Sequence, residues 1–163
     1  MSPTRRKQVL ASGESAGDEW ITVAPESLRE SLTVLRDQDG YEQLSFMTCV
    51  DHLASVVPAV QRFELVYQLR SYQHRKVLRV RTFVAESEAV APSVADIYPN
   101  ANWDERETWD MFGIRFDGHP DLTRILMPDD WVGHPLRRDF PVGGEQVDFS
   151  EEHEVWETTP PNA

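Results

Sequence analysis

The chain has 163 residues, a formal net charge of -12 at pH 7 and one cysteine, Cys49. This length allows one hydrophobic core of ordinary size with tails, and the acidic balance argues against a protein that binds a nucleic-acid backbone through clustered Lys and Arg. A single cysteine excludes an internal disulfide and an iron–sulfur cluster held by this chain alone.

The N-terminal segment is rich in Ser, Gly and charged residues and has no hydrophobic period, so we expect residues 1–19 to be disordered or to gain order only on a partner. Its basic residues, at positions 5–7, are not followed by the apolar stretch of a secretory signal. No later stretch approaches the ~20 apolar residues of a membrane helix. We therefore expect a soluble, cytoplasmic chain whose fold starts near Trp20.

A leucine stripe predicts the first helix. Pro25 suits a first helical turn, and Leu28, Leu32 and Leu35 follow at i, i+4 and i+7 before Gly40 ends the pattern. This spacing is typical of a surface helix that buries one face.

Three strand-like segments with alternating apolar residues follow, at 44–51, 62–69 and 78–84. The second and third are close enough to form a hairpin around Gln73 and His74. We expect one face of this sheet, with Cys49 in its core, to pack on the leucine stripe. We expect the other face to meet solvent, because it carries Arg62, Arg70, Arg79 and Arg81.

A capping pattern predicts the second helix. Asn102 and Glu105 have the spacing of a capping box, the helix then runs through Phe112, and Gly113 is placed to end it. Together with the sheet and the first helix, these elements predict an α+β domain over residues 20–117.

The carboxylates of this helix suggest two roles. Glu105 and Glu107 are a pair of carboxylates of the kind used in acid–base catalysis. Residues two apart point to nearly opposite sides of a helix, however, so these two cannot easily serve one site. Asp104, Glu105 and Glu107 also complement the positive end of the helix dipole, and Arg106 can reach Asp110 one turn on. The dipole interpretation explains more of the pattern.

The tripeptide Gly-His-Pro occurs twice, around His119 and His134. A metal site there would need a further ligand, from Asp121, Asp129, Asp130 or Asp139, at a spacing that matches no zinc motif. A structural interpretation needs less: Gly can take a positive φ, Pro makes the preceding His extended, and the imidazole satisfies backbone groups. The metal hypothesis stays as the alternative.

Residues 118–145 have no helical or strand period, which is unusual inside a compact domain. We expect an extended arm that lies on another protein, with order only when docked. Trp131, Phe140 and the pair Arg137-Arg138 have the mixture of aromatic and arginine side chains typical of interface anchors, although a solvated basic pair fits equally well. Residues 146–163 form an acidic tail.

One segment resembles a known family signature. Glu105 to Phe112, then six residues and His119, then four residues and Arg124-Ile125-Leu126 match without a gap the signature of the 30-kDa subunit of respiratory complex I, called C in the bacterial naming. The resemblance extends to Pro92-Ser93 and Asn102-Trp103 upstream and to residues 133–141 downstream, and it covers roughly residues 20–145.

The resemblance implies a two-layer α+β domain with a mixed β-sheet packed by helices, followed by an extended C-terminal arm. It implies a non-catalytic structural subunit in the peripheral arm of NADH–quinone oxidoreductase, on the cytoplasmic side of the bacterial cell membrane, which supports electron transfer coupled to proton translocation. FMN and iron–sulfur clusters are then held by partners, and none by this chain.

The partners that the resemblance implies are the quinone-site subunit, called D in the same naming, and the iron–sulfur subunits called B and I. Expected contact residues are Arg106, Asp110, His119, Arg124, Trp131, His134, Arg137, Arg138 and Phe140. Two alternatives stay open: the homologous subunit of a membrane-bound hydrogenase-type complex, and a stand-alone metal-dependent enzyme that uses His119, His134 and nearby aspartates.

Overall fold

The structure, a computed structural model, describes residues 9–54 and 61–141. Within these residues a five-stranded sheet has the order β1-β2-β5-β4-β3, and a two-stranded sheet pairs β6 with β7. The elements are β1 (Val9–Ser15), β2 (Asp18–Val23), α1 (Leu28–Asp37), β3 (Gln43–Asp51), β4 (Phe63–Ser71), β5 (Lys76–Val84), β6 (Val90–Pro92), α2 (Ala101–Phe112) and β7 (Arg115–Asp117).

The large sheet is mixed, because β2 runs parallel to β5 while the other neighbouring strands are antiparallel. This confirms the predicted α+β class. None of the helices in the described residues is both long and apolar enough to span a bilayer.

The leucine stripe forms as predicted. Pro25–Ser27 is a short 3₁₀ turn that leads into α1, and Leu28, Leu32 and Leu35 are buried against the sheet. The three predicted strands are also present, each one or two residues longer than expected, and β4 and β5 form the hairpin with Ser71 paired to Lys76. Local periodicity was therefore sufficient for these elements.

The N-terminal prediction is wrong for residues 9–19, which the structure shows as β1 and the start of β2. Ala16 and Gly17 both have a positive φ in the two-residue turn between the strands, as a tight hairpin requires. Because nearly all of β1 is exposed, its sequence carries no alternation of apolar and polar residues. Residues 1–8 lie outside the described part of the chain.

The outer face of the sheet meets solvent only in part. A groove of about 510 Å³ crosses it, lined among others by Trp20, Phe46, Val50 and Arg81. Arg70 is exposed, as expected. Arg62 is not, because only 7% of its side chain is accessible and it bonds to carboxylates of three other segments.

Helix α2 lies against the edge of β3. The Asp104 carboxylate accepts a hydrogen bond from the Met47 N–H (3.0 Å), and the Asn100 amide donates to the Leu44 carbonyl (2.9 Å). These two side chains occupy backbone groups of an edge strand that would otherwise be open to pairing with another strand.

The predicted capping box does not form. The N-cap of α2 is Asn100, which makes no side-chain cap bond, so the helix begins earlier than Asn102. Glu105 therefore falls in the second turn and points into the core, where it is fully buried. Its predicted role at an exposed helix dipole is wrong for that reason.

Candidate functional site

The Asp110 carboxylate, on α2, holds the C-terminal arm, which we define as the described residues 118–141. No helix or strand occurs in this segment, yet it runs back along α2. The Oδ2 atom of Asp110 accepts the backbone N–H groups of Ile125 (3.1 Å), Leu126 (2.9 Å) and Met127 (2.9 Å). Arg124 donates to the other oxygen.

Asp110 is fully buried. Burial by itself raises the pKa of this carboxyl, but the three backbone donors and Arg124 outweigh it and hold the pKa below its ordinary value. Arg124 also donates to the Trp131 carbonyl (2.9 Å) and lies over the Trp109 ring at 5.6 Å. One ion pair thus fixes two turns of the arm to the helix.

The second Gly-His-Pro unit caps the C-terminal end of α2. The last four carbonyls of a helix lack partners within the helix, and here each has a donor. The pairs are Gly113 N–H to Trp109 (2.8 Å), His134 Nδ1–H to Asp110 (3.0 Å), Leu136 N–H to Met111 (3.1 Å) and Arg137 Nε–H to Phe112 (2.6 Å). The arm therefore completes the helix.

Gly113 is required by this cap. Its φ is +75°, and a Cβ there would lie 2.5 Å from His134 Nε2 and 2.6 Å from Arg137 Nη2. We predict that Gly113→Ala lowers the free energy of unfolding by roughly 2–4 kcal/mol, from backbone strain and overpacking together. Urea unfolding measures this.

Gly118→Ala is the matched control, because Gly118 has a φ of +84° but no atom within 4 Å of an added Cβ. It should cost only the strain, about 1–2 kcal/mol. Equal losses in the two variants would show that the cap does not depend on close approach at Gly113.

The first Gly-His-Pro unit uses His119 in the same structural way. Its Nε2–H donates to the Asn102 carbonyl (3.1 Å), and its Nδ1 accepts the Asp121 N–H (3.0 Å). Both Gly118 and Gly133 have a positive φ. This supports the interpretation of Gly-His-Pro as a backbone-bending unit.

The described residues do not support the alternative of a metal site at His119 and His134. Both ring nitrogens of His119 are occupied by backbone groups, so neither is free to bind an ion. Within residues 9–54 and 61–141, no group of three His, Cys, Asp or Glu side chains is placed to hold a metal. Burial raises the pKa of Cys49 to about 12, which disfavours its thiolate.

The other predicted contact residues also bond within the chain. Arg106 does not reach Asp110 and instead donates to Thr123 Oγ1 (3.0 Å) and to the Arg124 carbonyl (3.1 Å). Trp131 and Phe140 stack on each other at 6.3 Å, and Arg137 lies 5.2 Å from the Phe63 ring. The structure thus brings these side chains together, and their contacts with partners stay a prediction.

A cluster of charged side chains anchors the end of the arm to the sheet. Arg62 forms a two-point ion pair with the buried Asp51 (3.1 and 3.0 Å) and binds Asp139 of the arm (2.6 Å) and Glu86. The Arg138 N–H donates to the same Asp51 carboxylate (3.0 Å). Residues 142–163, which include the predicted acidic tail, lie outside the described chain.

Sequence reasoning missed the apolar side chains that this arrangement leaves uncovered. Val132 is 88% exposed, and Leu126, Leu136 and Trp103 of α2 are also largely exposed. For Leu126, Val132 and Leu136 the available signal was their apolar character in a segment without periodicity. Large exposed apolar side chains on an ordered backbone are typical of a protein–protein contact.

The chain is similar to proteins of one known family. The family model described as "Respiratory-chain NADH dehydrogenase, 30 Kd subunit" matches residues 21–146. A protein of Salinispora arenicola, named as the C subunit of NADH-quinone oxidoreductase, is 45% identical over 135 residues, which are 82% of this chain and 54% of that protein. One of Trichlorobacter lovleyi with the same name is 44% identical over 83% of this chain and 82% of its own length.

The chain thus spans about half the length of the Salinispora relative. Among solved structures, a trypsin-resistant fragment of Nqo5 is similar, with a TM-score of 0.64 and 31% identity over 69% of this chain and 89% of that one. A chain of the membrane-bound sulfane sulfur reductase, an archaeal respiratory membrane complex, has a TM-score of 0.69 and 26% identity, and the match covers 81% of this chain and 77% of that chain.

Proposed function

Because the chain belongs to the family of the 30-kDa subunit of the respiratory-chain NADH dehydrogenase, we propose that it acts as the 30-kDa subunit of complex I, NADH–quinone oxidoreductase. In this role it is a non-catalytic structural subunit of the peripheral arm of the complex, on the cytoplasmic side of the membrane. It contacts the quinone-site subunit (D) and the iron–sulfur subunits (B and I).

The observation that carries this proposal is the arm. Several of its backbone and side-chain polar groups bond to α2 and the sheet, while Leu126, Val132 and Leu136 project from it without cover in the described structure. We expected an arm that orders only on a partner, and the structure instead shows its backbone already tied down. Pre-ordering lowers the entropy cost of association.

A rigid structural subunit fits the chemistry of such a complex. Electron transfer from NADH to quinone requires redox centres at fixed separations, and a subunit that anchors several neighbours limits their relative motion. In this proposal FMN and the iron–sulfur clusters belong to the partners, and for the clusters the support is that this chain has one cysteine, too few to hold a cluster alone.

The alternative, membership of a related complex other than complex I such as a membrane-bound hydrogenase, is compatible with the likeness to a chain of a sulfane sulfur reductase, another respiratory membrane complex. Identity is 26% there and 44–45% to the two proteins named for NADH-quinone oxidoreductase, which favours complex I. Mass spectrometry of the proteins that co-purify with the chain distinguishes the two, because NADH-oxidising subunits accompany it only in complex I.

A surface substitution tests the structural role. Val132→Glu should lower the yield of assembled complex several-fold, because it places a charge where we expect an apolar contact. Leu10→Glu is the control, since Leu10 is 70% exposed on β1, at the opposite edge of the sheet from β3, where Asp51 binds the arm. Normal abundance of a complex with lost NADH–quinone activity would contradict a non-catalytic role.

A further inference from the structure

Glu105 is a carboxylate at the centre of the fold, and the assembly role proposed above does not use it. Its side chain has no exposed surface. Oε2 accepts the Ser93 hydroxyl (2.6 Å) and Oε1 accepts the Val94 N–H (2.7 Å), both from the loop that follows β6. These partners are neutral.

The charged and titratable groups around Glu105 leave it without a direct counter-ion. His119, at the start of the arm, places Nε2 4.0 Å from Oε2 with its side chain equally buried. From α1, Arg29 is engaged by Asp96 (2.7 Å) and by the Ser93 carbonyl. From β4, Tyr67 contributes a buried hydroxyl that has no hydrogen-bond partner among the described residues.

A carboxylate removed from water without a cation on its oxygens favours its protonated form. We propose that Glu105 is a proton-binding site that couples the protonation state of the core to the attachment of the loop at Ser93–Val94 and of the arm at His119.

The two protonation states differ in their hydrogen bonds. The ionised carboxylate accepts from Ser93 and Val94, as described. A proton on Oε2 makes Glu105 the donor to Ser93 Oγ, which already receives the Ala95 N–H (3.3 Å). Protonation therefore reverses one bond of the loop.

The arm responds through His119. When Glu105 is ionised, its charge competes with the Asn102 carbonyl for the Nε2–H of His119. The opposite ring nitrogen holds the Asp121 N–H, so a shift of the ring moves the turn that starts the arm. Protonation of Glu105 thus changes the hydrogen bonds of two segments, the loop at Ser93–Val94 before α2 and the start of the arm at His119 after it.

The direction of the pH effect follows from burial. Burial raises the pKa of Glu105 from 4.5 to about 7, against the hydrogen bonds from Ser93 and Val94, with Asp96 raising the pKa and Arg29 lowering it. The unfolded chain releases this proton first as the pH rises. Stability from this group is therefore complete below pH 4.5 and is lost as the pH rises through about 7.

Urea unfolding of the full chain at two pH values tests the proposal. Between pH 5.5 and 8 the unfolding constant should rise roughly 30-fold through this group, and Glu105→Gln should remove that rise. Glu107→Gln is the matched control, because Glu107 is exposed two residues away on α2 and should keep the wild-type profile.

NMR titration of the wild-type chain tests the proposal without any variant, and therefore also if Glu105→Gln does not fold. The side-chain carboxyl carbon of Glu105 and the amide signals of Val94 and Asp121 should share a midpoint near pH 7. A carboxyl midpoint below pH 5 would overturn the proton site. A Val94 signal that titrates while Asp121 stays constant would overturn the coupling to the arm.

Discussion

Replacement of Asp110 by alanine should lower the free energy of unfolding by about 4 kcal/mol and release the arm. The substitution strands three backbone N–H groups of residues 125–127 and leaves Arg124, with only 14% of its side chain exposed, without its carboxylate. Loss of one member of a buried pair costs about 3–5 kcal/mol. Urea unfolding gives the energy.

Limited trypsin digestion shows the release, because Arg124 and Arg137, which are partly buried against α2, become accessible once the arm leaves this helix. Asp117→Ala is the control: the Asp117 side chain is 61% exposed and, among the described residues, its carboxylate pairs with the exposed Arg115, so the change should stay within about 0.5 kcal/mol. Equal digestion rates for wild type and Asp110→Ala would mean that the arm is held by something other than this carboxylate.

Acid should produce a milder form of the same effect. Because the pKa of Asp110 is held below its ordinary value of 3.8, its contribution to stability is present above about pH 4 and is lost as the pH falls below it. Attachment of the arm should therefore weaken at low pH, in a range separate from that of Glu105.

Replacement of Arg62 by methionine should cost about 3 kcal/mol, because it breaks a buried ion pair. Methionine keeps the unbranched stem but leaves Asp51, which is 2% exposed at its side chain, with only backbone donors. It also removes the contact to Asp139, so the end of the arm loses an anchor. The control is Arg70→Met, with an expected change near zero, because Arg70 is exposed on β4, the strand that Arg62 immediately precedes.

A double-mutant cycle separates the ion pair from packing. Asp51→Asn combined with Arg62→Met should be less destabilising than the sum of the single changes, because the second substitution no longer strands a charge. Additive energies would mean that Arg62 contributes mainly through its packing on Phe63, whose ring centroid lies 4.9 Å from the guanidinium carbon.

Several features were accessible from sequence because their signals lie within a few neighbouring residues. The leucine stripe of α1, the alternation in β3 to β5 and the stop at Gly113 were predicted and are present. The family signature over α2 and the arm was likewise a matter of spacing along the chain, and the family match confirms it.

Other features had no local signal. The strand β1 was missed because both of its faces are exposed, so nothing in its composition distinguishes it from a disordered tail. Glu105 was assigned to the helix surface because carboxylates in the first turn of a helix are usually exposed. Only the contacts with Ser93 and Val94 show that Glu105 is buried. Arg62 was likewise assigned to an exposed face, and only its ion pairs with distant carboxylates show that its side chain is buried.

The sequence by itself determined α1, the strands β3 to β5, the end of α2, the bends at the two Gly-His-Pro units and the family. The tertiary structure decided which polar groups are buried and what the arm does. The physical reason is that the free energy of a charged group depends on its burial and its partners, and these come from distant segments, as when the Arg138 N–H meets Asp51, 87 positions away.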